Sequence, residues 1–313
     1  MNAVDVGAAV TAVLGAALLG VWLAAWFDVV FSRLVAGVPV RPVDAVVTPL
    51  RAAASSWWKA GTTTERPDAG AWALAPALLA ALAAVSLATV PLAPGLLAAN
   101  VENGIVLFGA AMALVVVAVF LQGWSPNSPL PMIGGYRFIA AGLSYEIPLL
   151  LVLIAAALPA RSLALEPIVV SQEHLWNLVR QPLGLPIYLV AGLGLAFWGP
   201  LALPEAQDLA GGSSLEVSGA SRVLWRVAQL LVLVAVAAMG AAAFLGGWWG
   251  PLLPGAAWMV AKTLVLLALL VAARHLVARV PTERYVFVSW VVLIPLSLVD
   301  VFAAGIQALV AAR

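Results

Sequence analysis

Four ionisable side chains interrupt otherwise apolar runs: Asp28, Glu146, Lys262 and Asp300. Placing a charge in hydrocarbon costs about 3 kcal/mol even on a lenient insertion scale, so each is a functional candidate by default. Glu146 lies in Leu143-Ser144-Tyr145-Glu146-Ile147-Pro148, with two hydroxyls beside it. A carboxyl group there suits the uptake and release of protons; the alternative is a fixed residue of helix packing. Lys262 lies deep in its run, and its expected partner is one of these carboxylates, as a structural ion pair or a relay. Asp300 sits mid-run, whereas Asp28 is near the end of the first run, just before Ser32 and Arg33.

A second concentration of charge is the loop from Pro204 to Arg226, with Glu205, Asp208, Glu216, Arg222 and Arg226. Three carboxylates flanked by basic residues make either a solvated hairpin or a charged site at a membrane surface. No Gly-x-Gly-x-x-Gly follows a strand and no P-loop occurs, so Gly211 and Gly212 supply flexibility and cradle no phosphate. The chain has no Cys, which excludes an iron–sulfur cluster, a thiolate-ligated haem and a disulfide. His174 and His275 lie about a hundred residues apart, so paired haem ligation and a metal site are not expected. No block of Lys and Arg suggests nucleic-acid binding.

These residues must be positioned by membrane helices. Of 313 residues, 64% are hydrophobic and 9% charged, against about 25% charged in a soluble domain. A span needs about 20 apolar residues, and eight runs qualify: Val6 to Phe31, Gly70 to Leu92, Gly104 to Gln122, Arg137 to Leu158, Leu183 to Leu203, Val223 to Leu245, Gly255 to Val277 and Phe287 to Leu309. The fifth is interrupted by Pro186 and Pro200. The expected fold is therefore all-α and polytopic, one integral-membrane domain over residues 1–313.

Met1 to Gly7 carries Asp5 and no basic residue, unlike a cleavable leader, so the first run is expected to stay as a span. Eleven Lys and Arg fall at one end of the bundle and three at the other, which predicts an inner-membrane protein with both termini on the non-cytoplasmic side. Val43 to Lys59 alternates apolar and polar residues and ends on Trp57 and Trp58, the pattern of an interfacial amphipathic helix.

Four stretches then resemble one family. Gly123-Trp124-Ser125-Pro126-Asn127-Ser128, Gly134-Gly135-Tyr136-Arg137 and Ser144-Tyr145-Glu146-Ile147-Pro148 form the first; Leu203-Pro204-Glu205-Ala206 with Glu216-Val217-Ser218-Gly219 forms the second. The third is Gly246-Gly247-Trp248-Trp249-Gly250-Pro251 with Lys262 and Arg274, and the fourth is Arg284-Tyr285 before Trp290 and Pro295-Leu296. In order and spacing they are similar to the H-type membrane component of NADH-quinone oxidoreductase, respiratory complex I, over about Arg41 to Ala308. Departures include Ala202 where the family has Asp, Gln207 where it has Glu, and Val286 and Val291 for a late Asp and Lys.

The resemblance implies an eight-helix bundle that forms most of a quinone chamber and couples quinone reduction to proton translocation. Quinone would enter between the first span and the amphipathic helix carrying Trp57 and Trp58. Glu146, Glu205, Asp208 and Glu216 match or lie beside family carboxylates of the chamber and proton path, accompanied by Arg137, Lys262, Asp28 and Asp300. A peripheral arm bearing flavin and clusters would dock on the cytoplasmic loops, and antiporter-like subunits would pack laterally. The chain itself would hold no metal or covalent cofactor. Two other readings are a proton- or cation-coupled transporter, suggested by Glu146, Lys262 and Asp300, and the anchor of a related membrane-bound hydrogenase. Paired broken helices would favour the first, and the Leu203-Pro204-Glu205-Ala206 loop argues against the second.

Overall fold

The computed structural model describes residues 3–206 and 210–310, all helices and connections apart from one isolated bridge between Ala93 and Leu96. We number the main helices α1 (Ala3–Val35), α2 (Pro42–Trp57), α3 (Ala69–Ala88), α4 (Gly104–Trp124, interrupted at Leu114), α5 (Pro129–Ala157), α6 (Gly184–Leu195), α7 (Gly219–Phe244), α8 (Gly255–Leu276) and α9 (Thr282–Val310). All except α2 and α6 are long and apolar enough to cross a membrane, which gives seven such helices among the described residues.

The eighth expected span is where sequence and structure differ. The run from Leu183 to Leu203 yields only the 12-residue α6, about 18 Å long where about 30 Å is required. Pro186 is tolerated because it falls in the first turn, where N–H groups have no intrahelical partner. The helix then ends at Ala196 because Phe197 and Gly199 take positive φ (40° and 61°), and Pro200 lies in a short 3₁₀ turn. Irregular backbone at membrane depth is tolerated only inside protein or along a polar cavity. Residues Phe197, Trp198, Gly199 and Ala202 line such a cavity.

The centre of the bundle is α7. Every residue from Val232 to Phe244 is buried, in keeping with a stretch that is apolar on all faces. Its small side chains and those of its neighbours let helices approach closely. A Cβ on Gly192 would run into Val236, one on Gly240 would press on Tyr188 and Leu266, and one on Gly20 would touch Val234. Helices α1, α3, α6 and α8 surround α7, and α5 packs on α4, α6 and α9.

Two prolines are offset by a specific contact. Pro148 has no N–H to give the Ser144 carbonyl four residues earlier; the Ser289 hydroxyl of α9 donates to that carbonyl instead. Ser289 opens a π turn, Ser289–Leu293, that ends two residues before Pro295. Pro295 likewise deprives the Val291 carbonyl of a partner, and widening the helix there relieves the ring clash.

Helix α2 forms where an interfacial helix is expected. Ala45 is buried toward the bundle and the Arg33 guanidinium reaches Thr48 Oγ1 at 3.3 Å, while Val43, Val46, Leu50 and Trp57 make an outward apolar stripe. Such a stripe beside basic residues fits the headgroup boundary. Helices α1 and α9 also keep broad apolar faces outward, including Leu18, Phe302 and Ile306.

Candidate functional site

At the arginine-rich end of the bundle, α1, α7, α8 and the irregular segment after α6 enclose a cavity of about 380 Å³. Small-molecule sites commonly span about 300–1,000 Å³. Asp28 and Glu205 line it together with Arg222, Arg226, Arg274 and Arg279, and Phe197, Trp198 and Trp225 supply aromatic surface. On α7 the polar positions Arg222, Arg226 and Gln229 recur at helical spacing, so one face of an otherwise apolar helix turns toward the cavity.

Glu205 ends the 3₁₀ turn Leu203–Glu205 and is held by three side chains. Trp225 Nε1 donates at 3.1 and 3.2 Å, Ser213 Oγ at 3.2 Å, and Ser214 Oγ donates to the other oxygen. Burial pushes the Glu205 carboxyl above the usual range, opposed by the Ser214 and Trp225 donors, the nearby Arg226 charge and Ser213. The loop carrying Ser213 is pressed onto α5: Gly211 and Gly212 leave no room for a Cβ against Leu130 and Ala206, and Gly134 none against Gly212 and Ser213. These glycines, expected only to be flexible, are close-approach points that fix the Glu205 cage.

Asp28 is a junction of three elements. It accepts from Arg226 at 3.3 Å, from Arg274 at 3.0 Å and pairs with His275 Nε2 at 2.8 Å. Arg226 also donates to Gln229 Oε1 at 2.7 Å and lies 4.4 Å from the Trp198 ring centroid, with Arg274 at 5.1 Å from the same ring. One carboxylate thus ties α1 to α7 and α8.

A row of aromatic rings leads from this cavity to Glu146. Trp225 stacks on Phe197 (5.8 Å), Phe197 meets Phe138 edge-on (5.4 Å), and Phe138 meets Tyr145 (5.5 Å). A small void on the way is lined by Phe138, Pro204, Thr282 and Tyr285, and a further one by Tyr145, Glu146 and Gly109. The hydroxyls of Tyr145, Tyr285, Thr282 and Ser144 are buried with no hydrogen-bond partner in the structure. Buried hydroxyls are normally satisfied by protein or ordered water. Gly194 makes room for the approach, since a Cβ there would lie 2.8 Å from the Tyr285 hydroxyl.

A family described as NADH dehydrogenase matches residues 10–305. The chain belongs to the NADH dehydrogenase family. It is 33% identical to the NADH-quinone oxidoreductase H 1 protein of Rhodopseudomonas palustris (strain HaA2), over 96% of this chain and 97% of that protein. It is 34% identical to the protein of the same name from strain BisB5, over 78% of each. The corresponding H 2 protein of strain ATCC BAA-98 / CGA009 is 32% identical, over 96% of this chain and 97% of that protein.

Within this NADH dehydrogenase family member the other described charged candidates lie apart from the cavity. Lys262 does not meet a carboxylate, contrary to expectation. Its ammonium donates to the carbonyls of Leu245, Gly247 (3.0 Å) and Trp249 (2.6 Å) and sits 4.1 Å from the Trp176 ring centroid. The positive φ of Gly246 and Gly247 (73° and 50°) turns the chain around that ammonium, so Lys262 uses all three donors on the end of α7. Asp300 is buried beside Gln181 and Gly184, at the opposite end of α6 from Trp198.

Glu216 accepts from Ser128 Oγ at 3.3 Å at the start of α5, and Arg137 donates to the carbonyls of Ala210 and Gly211 (2.8 Å). Both hold the central loop against α5. Asp208 lies outside the described residues. Trp57 and Trp58 are exposed at the end of α2, where Thr62 binds Ser218 through its N–H (2.7 Å) and pins the connection to the start of α7. Sequence reasoning missed His275, Trp198 and Gln229; the recurrence of Gln229 with Arg222 and Arg226 was a readable signal. Among the described residues no group of three His, Asp or Glu could hold a metal ion.

Proposed function

We propose that the chain is the membrane subunit of a complex I-type quinone oxidoreductase, forming the quinone chamber and coupling quinone reduction to proton translocation. The observation that carries this reading is the cavity itself: four arginines, Asp28 and Glu205 gather in one space in a chain only 9% charged. Its residues suit a planar, carbonyl-bearing substrate. Trp198 and Phe197 offer flat faces, and Arg222 and Arg226 offer donors.

Reduction of a quinone to a quinol takes two electrons and two protons, and negative charge builds on the carbonyl oxygens as electrons arrive. Arginine side chains aimed at that charge stabilise it in a cavity partly shielded from water. Charge in the cavity shifts the protonation balance of Glu205, which is already strained by burial. The unpartnered hydroxyls of Thr282, Tyr285 and Tyr145 then furnish a route for protons toward Glu146, beside α4. The electrons come from a partner arm that carries flavin and clusters, since a chain without Cys cannot ligate a cluster. The isolated chain is accordingly not catalytic.

Helix α6 and the irregular segment after it together run from the Asp300 end of the bundle to the arginine cavity and make an eighth crossing; with that count, the positive-inside rule puts the cavity at the cytoplasmic face of the inner membrane and both termini on the other side. The peripheral arm docks on the loops around the cavity, α2 with Trp57 and Trp58 forms the floor of a quinone entrance, and outward faces such as that of α9 serve lipid and antiporter-like neighbours. The whole chain acts as one membrane domain. A secondary transporter reading is less well supported, because it needs Glu146, Lys262 and Asp300 in a shared site. Lys262 is caged by carbonyls and Asp300 lies beside Gly184 at the end of α6 away from Trp198.

Labelling of the purified complex with a photoreactive quinone tests the proposal. It predicts adducts on the Phe197–Glu205 and Arg222–Gln229 peptides that excess quinone competes away. Adducts confined to other segments, or insensitive to competition, would overturn it.

A further inference from the structure

At the opposite end of α6 from Trp198, Asp300 and Gln181 each hold an unsatisfied acceptor oxygen beside Gly184. Asp300 is 3% exposed and Gln181 1%. Asp300 Oδ2 and Gln181 Oε1 each lie 3.2 Å from the point a Cβ on Gly184 would occupy, and neither has a hydrogen-bond partner among the described residues. Gln181 is not free to flip its amide, because its Nε2 donates to the Ala155 carbonyl of α5 at 2.6 Å. Two acceptor oxygens are thus held toward one small space closed by the Phe244 ring.

The surrounding charges do not neutralise an anion there. On the segment before α6, the Arg180 guanidinium binds the Ser171 carbonyl (2.8 Å) and Asn177 Oδ1 (3.4 Å). Arg161 lies beyond the turn Leu158–Ala160, next to α9, and no ion pair to Asp300 occurs among the described residues. The ionisable groups of α5, Glu146 and Arg137, precede Ala155 by nine residues or more, about 14 Å or more along the helix. At the start of α6, the Gly184 N–H is engaged by the Gln181 carbonyl (3.0 Å), Pro186 has none, and among the described residues the Leu185 N–H makes no bond to Asp300. Helix α7 presents the Phe244 ring. A carboxylate buried in a membrane helix with no donor to its Oδ2 would carry a large desolvation cost. One proton between two acceptors removes that cost, whereas a metal ion asks for a larger shell of oxygens.

We propose that Asp300 is kept as the neutral acid, its carboxyl O–H donating to Gln181 Oε1. The pair is then a proton-binding site separate from the quinone cavity, and it fastens α9 to the segment entering α6. This goes beyond the quinone-chamber reading and does not depend on it.

Infrared spectroscopy of the purified complex tests the site directly. The wild-type spectrum minus that of Asp300→Asn should contain the carbonyl stretch of a protonated carboxylic acid at neutral and at mildly alkaline pH. Asp300→Asn should keep the thermal stability of the complex, because its amide N–H can donate to the same oxygen, whereas Asp300→Leu should lower it. A difference spectrum with only carboxylate bands at neutral pH, or an Asn variant as unstable as the Leu variant, would overturn the proposal. So would a sodium-dependent carboxylate band, which would mean a cation occupies the space.

Discussion

Trp225 Nε1 stands 3.1 Å from one Glu205 oxygen and 3.2 Å from the other, so a single indole N–H spans both arms of the carboxylate. Donors to the charged form pull the Glu205 pKa down against the larger upward push of burial. Trp225→Phe keeps an aromatic ring and deletes the donor. The Glu205 pKa then rises further, more of it is protonated at neutral pH, and the acid limb of quinone reductase activity moves to higher pH. Activity of the membrane-bound complex across pH checks this; an unmoved limb would separate Glu205 from turnover.

Tyr145 and Tyr285 supply buried hydroxyls between Glu205 and Glu146. Phe at either position preserves ring packing and removes the hydroxyl, so the complex should assemble normally. Proton translocation per electron should fall in each single variant, with turnover reduced on the order of tenfold or more if proton delivery limits the rate. Assembly is followed by native gel and pumping by a pH-sensitive dye in membrane vesicles.

Lys262 satisfies three backbone carbonyls at the end of α7. Lys262→Met strands them, at about 1–3 kcal/mol for each that finds no water. The expected result is a lower thermal midpoint and poorer assembly, with normal proton-to-electron stoichiometry in the complex that does assemble. Full assembly with lost pumping would instead return Lys262 to the proton path.

Asp28 neutralises Arg226, Arg274 and, when protonated, His275. Asp28→Ala leaves like charges facing one another where α1, α7 and α8 meet. The junction is partly exposed, so the expected cost is modest, about 1–2 kcal/mol. It should appear as a lowered thermal midpoint that added salt partly restores through screening.

How far the chain could be read from its residues differs by element. The long apolar helices and the amphipathic α2 were legible because hydrophobic runs and periodicity report burial directly. The segment Leu183 to Leu203 misled because it is apolar whether or not it is helical; its break rests on positive φ at Phe197 and Gly199. Glu205 was legible as one of the few charges in its loop. The partners of Asp28 were not, because Arg226 and Arg274 lie 198 and 246 residues away along the chain. Nor was the Lys262 cage, since backbone carbonyls leave no side-chain signal. The Asp300 environment depends on Gln181, a polar residue in a connection that carries no pattern.

We propose that carboxylates at the two ends of the aromatic row couple quinone chemistry to proton movement. The most direct measurement is proton uptake by vesicles containing Glu205→Gln or Glu146→Gln complex during reduction of a short-chain quinone. Both variants should form intact complexes whose quinone-coupled proton uptake is lowered. Wild-type proton uptake in both would contradict it.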